Sequence, residues 1–154
     1  MRSRNSLAIR ILSRTNLDRS KIMTKQEKTE FIRLCGILQR EIHSTAVQKG
    51  WWAERRGIAD AQGTPEMEEA ALVQVDIACA GLVVTEIAEA IEGIRHGNPP
   101  DDKIPEHSST EAEYADAIIR MFDHAGEWDW KLGAAIIAKI EYNKTRSYKH
   151  GKKA

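Results

Sequence analysis

The chain has 154 residues, 42% of them apolar and 30% charged, with ten glycines, four prolines and two cysteines. That length predicts one domain with a core of its own, and that composition excludes a disordered, collagenous or disulfide-stapled protein. No uninterrupted apolar run approaches the roughly 20 residues of a membrane-spanning helix, and a net charge of zero lacks the basic excess of a protein that grips nucleic acid by its phosphates.

The zero hides a gradient. Residues 1–59 carry +8, residues 60–129 carry −14 and residues 130–154 carry +6. Carboxylates in the middle suit cations, and a basic end suits phosphates, although solvated helix faces would give the same drift.

Residues 1–22 hold Arg2, Arg4, Arg10, Arg14, Arg19 and Lys21 against Asp18 alone. An Arg- and Ser-rich, acid-poor start is the composition of an organellar transit peptide. Met23 reads equally as a natural start, because Thr24 and Glu27 are spaced as a capping box. The expectation is a flexible or optional extension over 1–22 and one helical domain over 23–154. From Thr24 to about Gln48, Phe31, Leu34, Cys35, Leu38, Ile42 and Ala46 recur at helical steps, and Gly50 ends the run. Residues 53–63 read as a loop. Thr64 caps a second helix with Pro65 at its first position, and acids follow near its positive end. Leu72, Val75, Cys79, Leu82, Val83, Ala90, Ile91 and Ile94 continue it to His96-Gly97-Asn98-Pro99-Pro100. Such a helix is about 45 Å long and invites a kink.

After a loop over 96–109, Thr110 and Glu113 read as a second capping box. Ala117, Ile118, Met121 and Phe122 then give an apolar stripe. A last helix is predicted from about Trp130 to Lys144. No alternating run bounded by turns occurs, so the chain is expected to be all-α, with four principal helices. Cys35 and Cys79, without metal-ligand spacing, read as buried thiols in a reducing, cytoplasmic setting.

Two acidic pairs carry the chemistry. Glu86 and Glu89 share one helix face, as do Glu113 and Asp116. If their helices pack antiparallel, four carboxylates converge. At about 5 Å and an effective dielectric near 20, each pair repels by about 3 kcal/mol. A divalent cation relieves that, and hard oxygen ligands suit magnesium, or manganese in its place. Such pairs are common on solvated helices, but these sit among Leu82, Val83, Val84, Ile87 and Ile91 and beside Ile118 and Ile119. Glu92 and Asp123 are read as peripheral, and His43, His96, His107 and His124 as incidental. Trp51 and Trp52 suit either base stacking or core packing. There is no Walker or GxGxxG loop.

Glu86-x-x-Glu89, a gap of 23 residues and Glu113-x-x-Asp116 resemble the signature of the MazG-like all-α nucleoside triphosphate pyrophosphatases. The stretch from Lys139 through Asn143, Arg146, Tyr148 and His150 to Lys152 is similar to that family's K-x-x-x-N-x-x-R-P-Y-x-H-G-K ending. Lys49-Gly50-Trp51-Trp52 is similar to its K-G-F-W segment in phage and bacterial members. The resemblance spans about residues 27–153. Thr85 replaces a leading glutamate and Ser147 the usual proline.

The resemblance implies a four-helix-bundle-like fold assembled as a homodimer or homotetramer. It implies magnesium-dependent hydrolysis of (deoxy)nucleoside triphosphates to monophosphate and pyrophosphate, as nucleotide-pool housecleaning. Glu86, Glu89, Glu113 and Asp116 would bind metal, with Glu86 or Glu89 also accepting the water's proton. Lys139, Asn143, Arg146 and Lys149 would bind phosphate, and Trp51 or Trp52 the base. Lys139 also reads as a helix C-terminal charge, and Lys149 as part of a solvated tail. The rival readings are hydrolysis of another nucleotide pyrophosphate, such as phosphoribosyl-ATP or a diphosphate derivative, and a non-catalytic helical adaptor with an acidic face. Neither a nucleic-acid polymer nor a membrane is expected as a partner.

Overall fold

The computed structural model describes residues 22–59 and 63–147. The expected extension, Ile22 excepted, and the tail from Tyr148 onward, with Lys149, lie outside the described residues. The helices are α1 (Lys25–Gln48), α2 (Ala53–Ala59), α3 (Pro65–Arg95), α4 (Ser109–Glu127) and α5 (Leu132–Lys144). No strand occurs among the described residues, so the all-α expectation holds.

Local chemistry sets most helix ends. Thr24 and Glu27 close the expected capping box on α1, and the Thr64 side chain caps α3 ahead of Pro65. Gly50 adopts φ +86°, the left-handed turn that releases the chain from α1. Two expectations are corrected. The first concerns the predicted loop, whose start coils into α2. Ala53-Glu54-Arg55 are good helix formers, and the buried Trp52 anchors them.

The second concerns the cap of α4, which is Ser108 with Glu111, two residues earlier than expected. The preceding loop decides this. Ser109 N–H donates to the Pro99 carbonyl at 2.8 Å and Thr110 N–H to Asn98 Oδ1 at 3.0 Å, so Thr110 already lies in the first turn. Glu111 therefore serves the helix end, and Glu113 is free for other work.

α3 and α4 run antiparallel. Asp76 meets His124 and Trp128, Glu86 meets Arg120, and Gly93 packs against Ser109 and Thr110. α1 crosses the end of α4, where Gln39 Nε2 donates to the carbonyls of Ala125 at 3.2 Å and Trp130 at 2.9 Å. A Cβ on Gly126 would come within 2.5 Å of His43, and one on Gly133 within 2.6 Å of Cys35. These two glycines allow α4 and α5 to approach α1.

The core is thin: Cys35, Trp52, Ala90, Ala112, Ala117, Phe122 and Ala125 are buried, but no large side chain among the described residues is fully enclosed. Of the α3 stripe read from the sequence, Ala90 is buried, Leu72, Val75, Cys79 and Val83 are half-buried, and Leu82, Ile91 and Ile94 are exposed. Val73, Ile77, Val84 and Ile87, outside that stripe, are exposed as well. Against the sequence reading, α3 is long and apolar enough to cross a membrane by length and composition alone. Its Asp76 and Glu86 are nonetheless bonded to α4.

Candidate metal centre and its cleft

Glu86 faces α4 and is only 4% exposed. A carboxylate so placed needs a counter-charge. Arg120 supplies it, donating from Nε to Glu86 Oε1. Glu89, one turn on, is exposed, and Glu113 across on α4 is half-buried. One carboxylate oxygen from each of Glu86, Glu89 and Glu113 lies within 4.8 Å of the others. Three of the four expected ligands therefore meet. Asp116 is exposed and lines the adjoining cleft instead, although its charge still acts on Glu113.

Glu113 registers the crowding. Burial first, then the charge of Glu89 and the hydrogen bond and charge of Glu86, hold its carboxyl above the usual carboxylate range. Thr85 spends its hydroxyl on the Leu82 carbonyl at 2.7 Å and adds no ligand to the cluster. Glu92 pairs with Arg95 at 2.8 Å on the surface, in keeping with a peripheral place.

Beside the acids lies a cleft of about 660 Å³ walled by α1, α2, α3 and α4. Leu38, Ile42, Val75, Leu82 and Ile119 give it apolar walls, and Lys49, Arg120 and Asp116 add charge. The two tryptophans part company here. Trp52 is 4% exposed, and its Nε1 donates to Asp123 Oδ1 at 2.9 Å, which makes it a core residue in the cleft wall. Trp51 is 70% exposed and offers a free aromatic face at the same cleft. Cys79 also lines the cleft, half-buried rather than buried, and burial raises its thiol pKa, so it is no ready nucleophile.

His43 and His124, set aside in the sequence, both have defined partners. His43 Nδ1 lies 2.8 Å from Asp123 Oδ1, and its Nε2 lies 3.3 Å from Glu127. Arg55 pairs with Glu127 and stacks over the Trp128 ring at 4.6 Å. His124 and the Trp128 indole N–H both engage Asp76 Oδ1, at 3.1 and 2.8 Å. Asp123 thus belongs to this network and not to the acidic cluster.

The phosphate residues expected on α5 are placed elsewhere. α5 packs on α1, where Lys28 Nζ and Glu141 Oε1 are 2.7 Å apart. Lys139 sits over the Tyr142 ring at 5.3 Å, and Asn143 and Arg146 are exposed. None of the three lines the cleft of its own chain.

Arg120 is the residue that sequence reasoning missed. It is the single Lys or Arg between Lys103 and Lys131, four residues after Asp116 and seven after Glu113. That spacing puts it on their helix face, and it was signal enough. Comparison with protein-family models, curated proteins and solved structures returns no match for this chain. Any account of function starts from these side chains.

Proposed function

We propose that the protein is a metal-dependent pyrophosphohydrolase that splits (deoxy)nucleoside triphosphates into monophosphate and pyrophosphate, in the manner of the MazG-like enzymes. The observation that carries this reading is the meeting of Glu86, Glu89 and Glu113 within 4.8 Å, beside a cleft with an exposed tryptophan. The donor set fits a hard divalent cation. It is all carboxylate, and burial together with the charges of Glu89 and Glu86 holds the Glu113 carboxyl above the usual carboxylate range. Glu86, Glu89 and Glu113 would hold magnesium or manganese, with Asp116 one turn away. When bound, such a cation neutralises phosphate oxygens and acidifies a coordinated water.

The chain's own groups supply the rest. Glu89 is exposed and is the carboxylate best placed to accept a proton, because Glu86 is buried against Arg120. Trp51 would stack the base, and the apolar walls would exclude water from the sugar side.

We read the bare face of α3 as contact between copies, in a homodimer or homotetramer. Placing that helix in lipid instead would carry Asp76, Glu86 and Glu89 with it, at about 2.5–3.5 kcal/mol for each acid near the bilayer centre. A neighbouring copy's α5 would then bring Lys139, Asn143 and Arg146 to the phosphate chain. The test is release of pyrophosphate from a panel of nucleoside triphosphates, with magnesium and with chelator. Metal-dependent release supports the reading. Release only from phosphoribosyl-ATP or a diphosphate derivative moves the substrate, and no release from any nucleotide returns the protein to a helical adaptor.

A further inference from the structure

The hydrolysis just described gives Arg120 no part, yet its position is unusual. The side chain is 33% exposed, its Nε donates to the buried Glu86, and it also lines the cleft. The other cations at the cleft differ. Arg55 is committed to Glu127 and the Trp128 ring, and Lys49 is an exposed residue at the end of α1. Among the cations of the described residues that line the cleft, Arg120 is the one bonded to the acidic cluster.

The charge balance at that junction is incomplete. One guanidinium is bonded to Glu86, while Glu89, Glu113 and Asp116 add three further carboxylates nearby. It cannot surrender its proton in any ordinary pH range, so it leaves Glu86 only by displacement. A divalent cation at the cluster bonds the same carboxylate with twice the charge. A guanidinium freed there presents a planar fork suited to two phosphate oxygens, and Arg120 already lines the cleft.

We propose that Arg120 is the resident counter-ion of the acidic cluster, which yields Glu86 to a divalent cation and then binds phosphate oxygens in the cleft. The ion exchange stands on the Glu86–Arg120 pair, and the phosphate half rests on the pyrophosphohydrolase reading. The experiment titrates the intact chain with manganese alone, by calorimetry, and then with inorganic pyrophosphate at saturating magnesium. Arg120→Met should bind manganese at least threefold more tightly than the parent, because a competing cation is gone, and should bind pyrophosphate at least tenfold more weakly. Arg120→Lys should keep parental manganese affinity yet lose pyrophosphate affinity, because an ammonium keeps the charge without the fork.

Weaker manganese binding by Arg120→Met, with pyrophosphate affinity unchanged, makes Arg120 a strut for Glu86 and overturns the proposal. Should that variant not fold, Arg120→Lys decides: parental pyrophosphate binding overturns the proposal, and a tenfold loss upholds it. A parent that releases pyrophosphate from nucleotides while Arg120→Met leaves manganese affinity unmoved overturns the exchange and leaves the hydrolase reading standing. A parent that binds neither manganese nor pyrophosphate overturns both.

Discussion

The two ends of the α3–α4 pair are both rich in acids, and they treat them in opposite ways. Toward the end of α4, Asp76, Asp123 and Glu127 each receive two partners from among His43, Trp52, Arg55, His124 and Trp128. Toward the start of α4, Glu86, Glu89 and Glu113 meet, and only Glu86 has an arginine, Arg120, bonded to it. Carboxylates matched by donors stiffen a structure, whereas carboxylates left in excess store repulsion that a ligand can relieve. A carboxylate-to-amide change should therefore have opposite effects at the two ends.

The largest effect is expected from Glu89→Gln, which keeps shape and loses charge. Pyrophosphate release should fall at least about 100-fold, equivalent to about 2.7 kcal/mol, with the melting temperature unchanged or higher. Parental turnover by that variant would break the assignment of the acidic end. Next comes Asp123→Ala at the matched end. It leaves the Trp52 indole N–H and His43 without their acceptor and should cost about 2–4 kcal/mol in denaturant unfolding. If Asp123→Ala were as stable as the parent, the matched end would not be the stiff one.

Glu113→Gln sharpens the contrast through pH. Because the Glu113 pKa is raised in the fold, its ionised form opposes folding. That cost is full above the raised pKa, shrinks as pH falls through it, and is gone below the ordinary carboxylate pKa. In chelator the variant should melt a few degrees higher than the parent near pH 7, with the gap closing toward about pH 4. Adding magnesium to the parent should recover a similar gain. A Glu113→Gln protein that melts lower at neutral pH would mean that the cluster stores no repulsion. The smallest effect is expected from Ser108→Ala, about 1 kcal/mol from the lost cap. Equal destabilisation from Thr110→Val, which keeps shape but loses the hydroxyl, would restore the cap to Thr110 and tie up Glu113.

How much of this was legible depended on distance along the chain. The Thr24–Glu27 box, the Thr64–Pro65 start and the break after Arg95 depend on neighbours within four residues, and all three stand as read. The cap of α4 was ambiguous, because Ser108 with Glu111 and Thr110 with Glu113 satisfy the same spacing. Asn98, reaching across the loop, chose between them. Glu86, Glu89 and Glu113 could be grouped because helical spacing fixes direction. Yet the same three-residue step brings Glu89 into the cluster and leaves Asp116 lining the cleft, because spacing along one helix does not say which face its neighbour meets. The partner of His43 lies 80 residues away and was not readable from spacing, whereas Arg120, 34 residues from Glu86, was marked only by its place on the Glu113 side of α4. The apolar residues of α3 were legible, but hydrophobic spacing says which face seeks cover and not which chain provides it.

The turn at Gly50 has an optical consequence. It sets two adjacent indoles in opposite surroundings, Trp52 in the wall and Trp51 at 70% exposure, the most exposed of the four, with Trp128 at 37% and Trp130 at 51%. An aqueous quencher such as iodide should reach the fluorescence of Trp51 first. A flat ring lying on it from the cleft would shield that emission and quench it by stacking. The chain therefore carries its own lamp at the mouth of the cleft, and a Trp51→Phe control would show which part of the signal is its light.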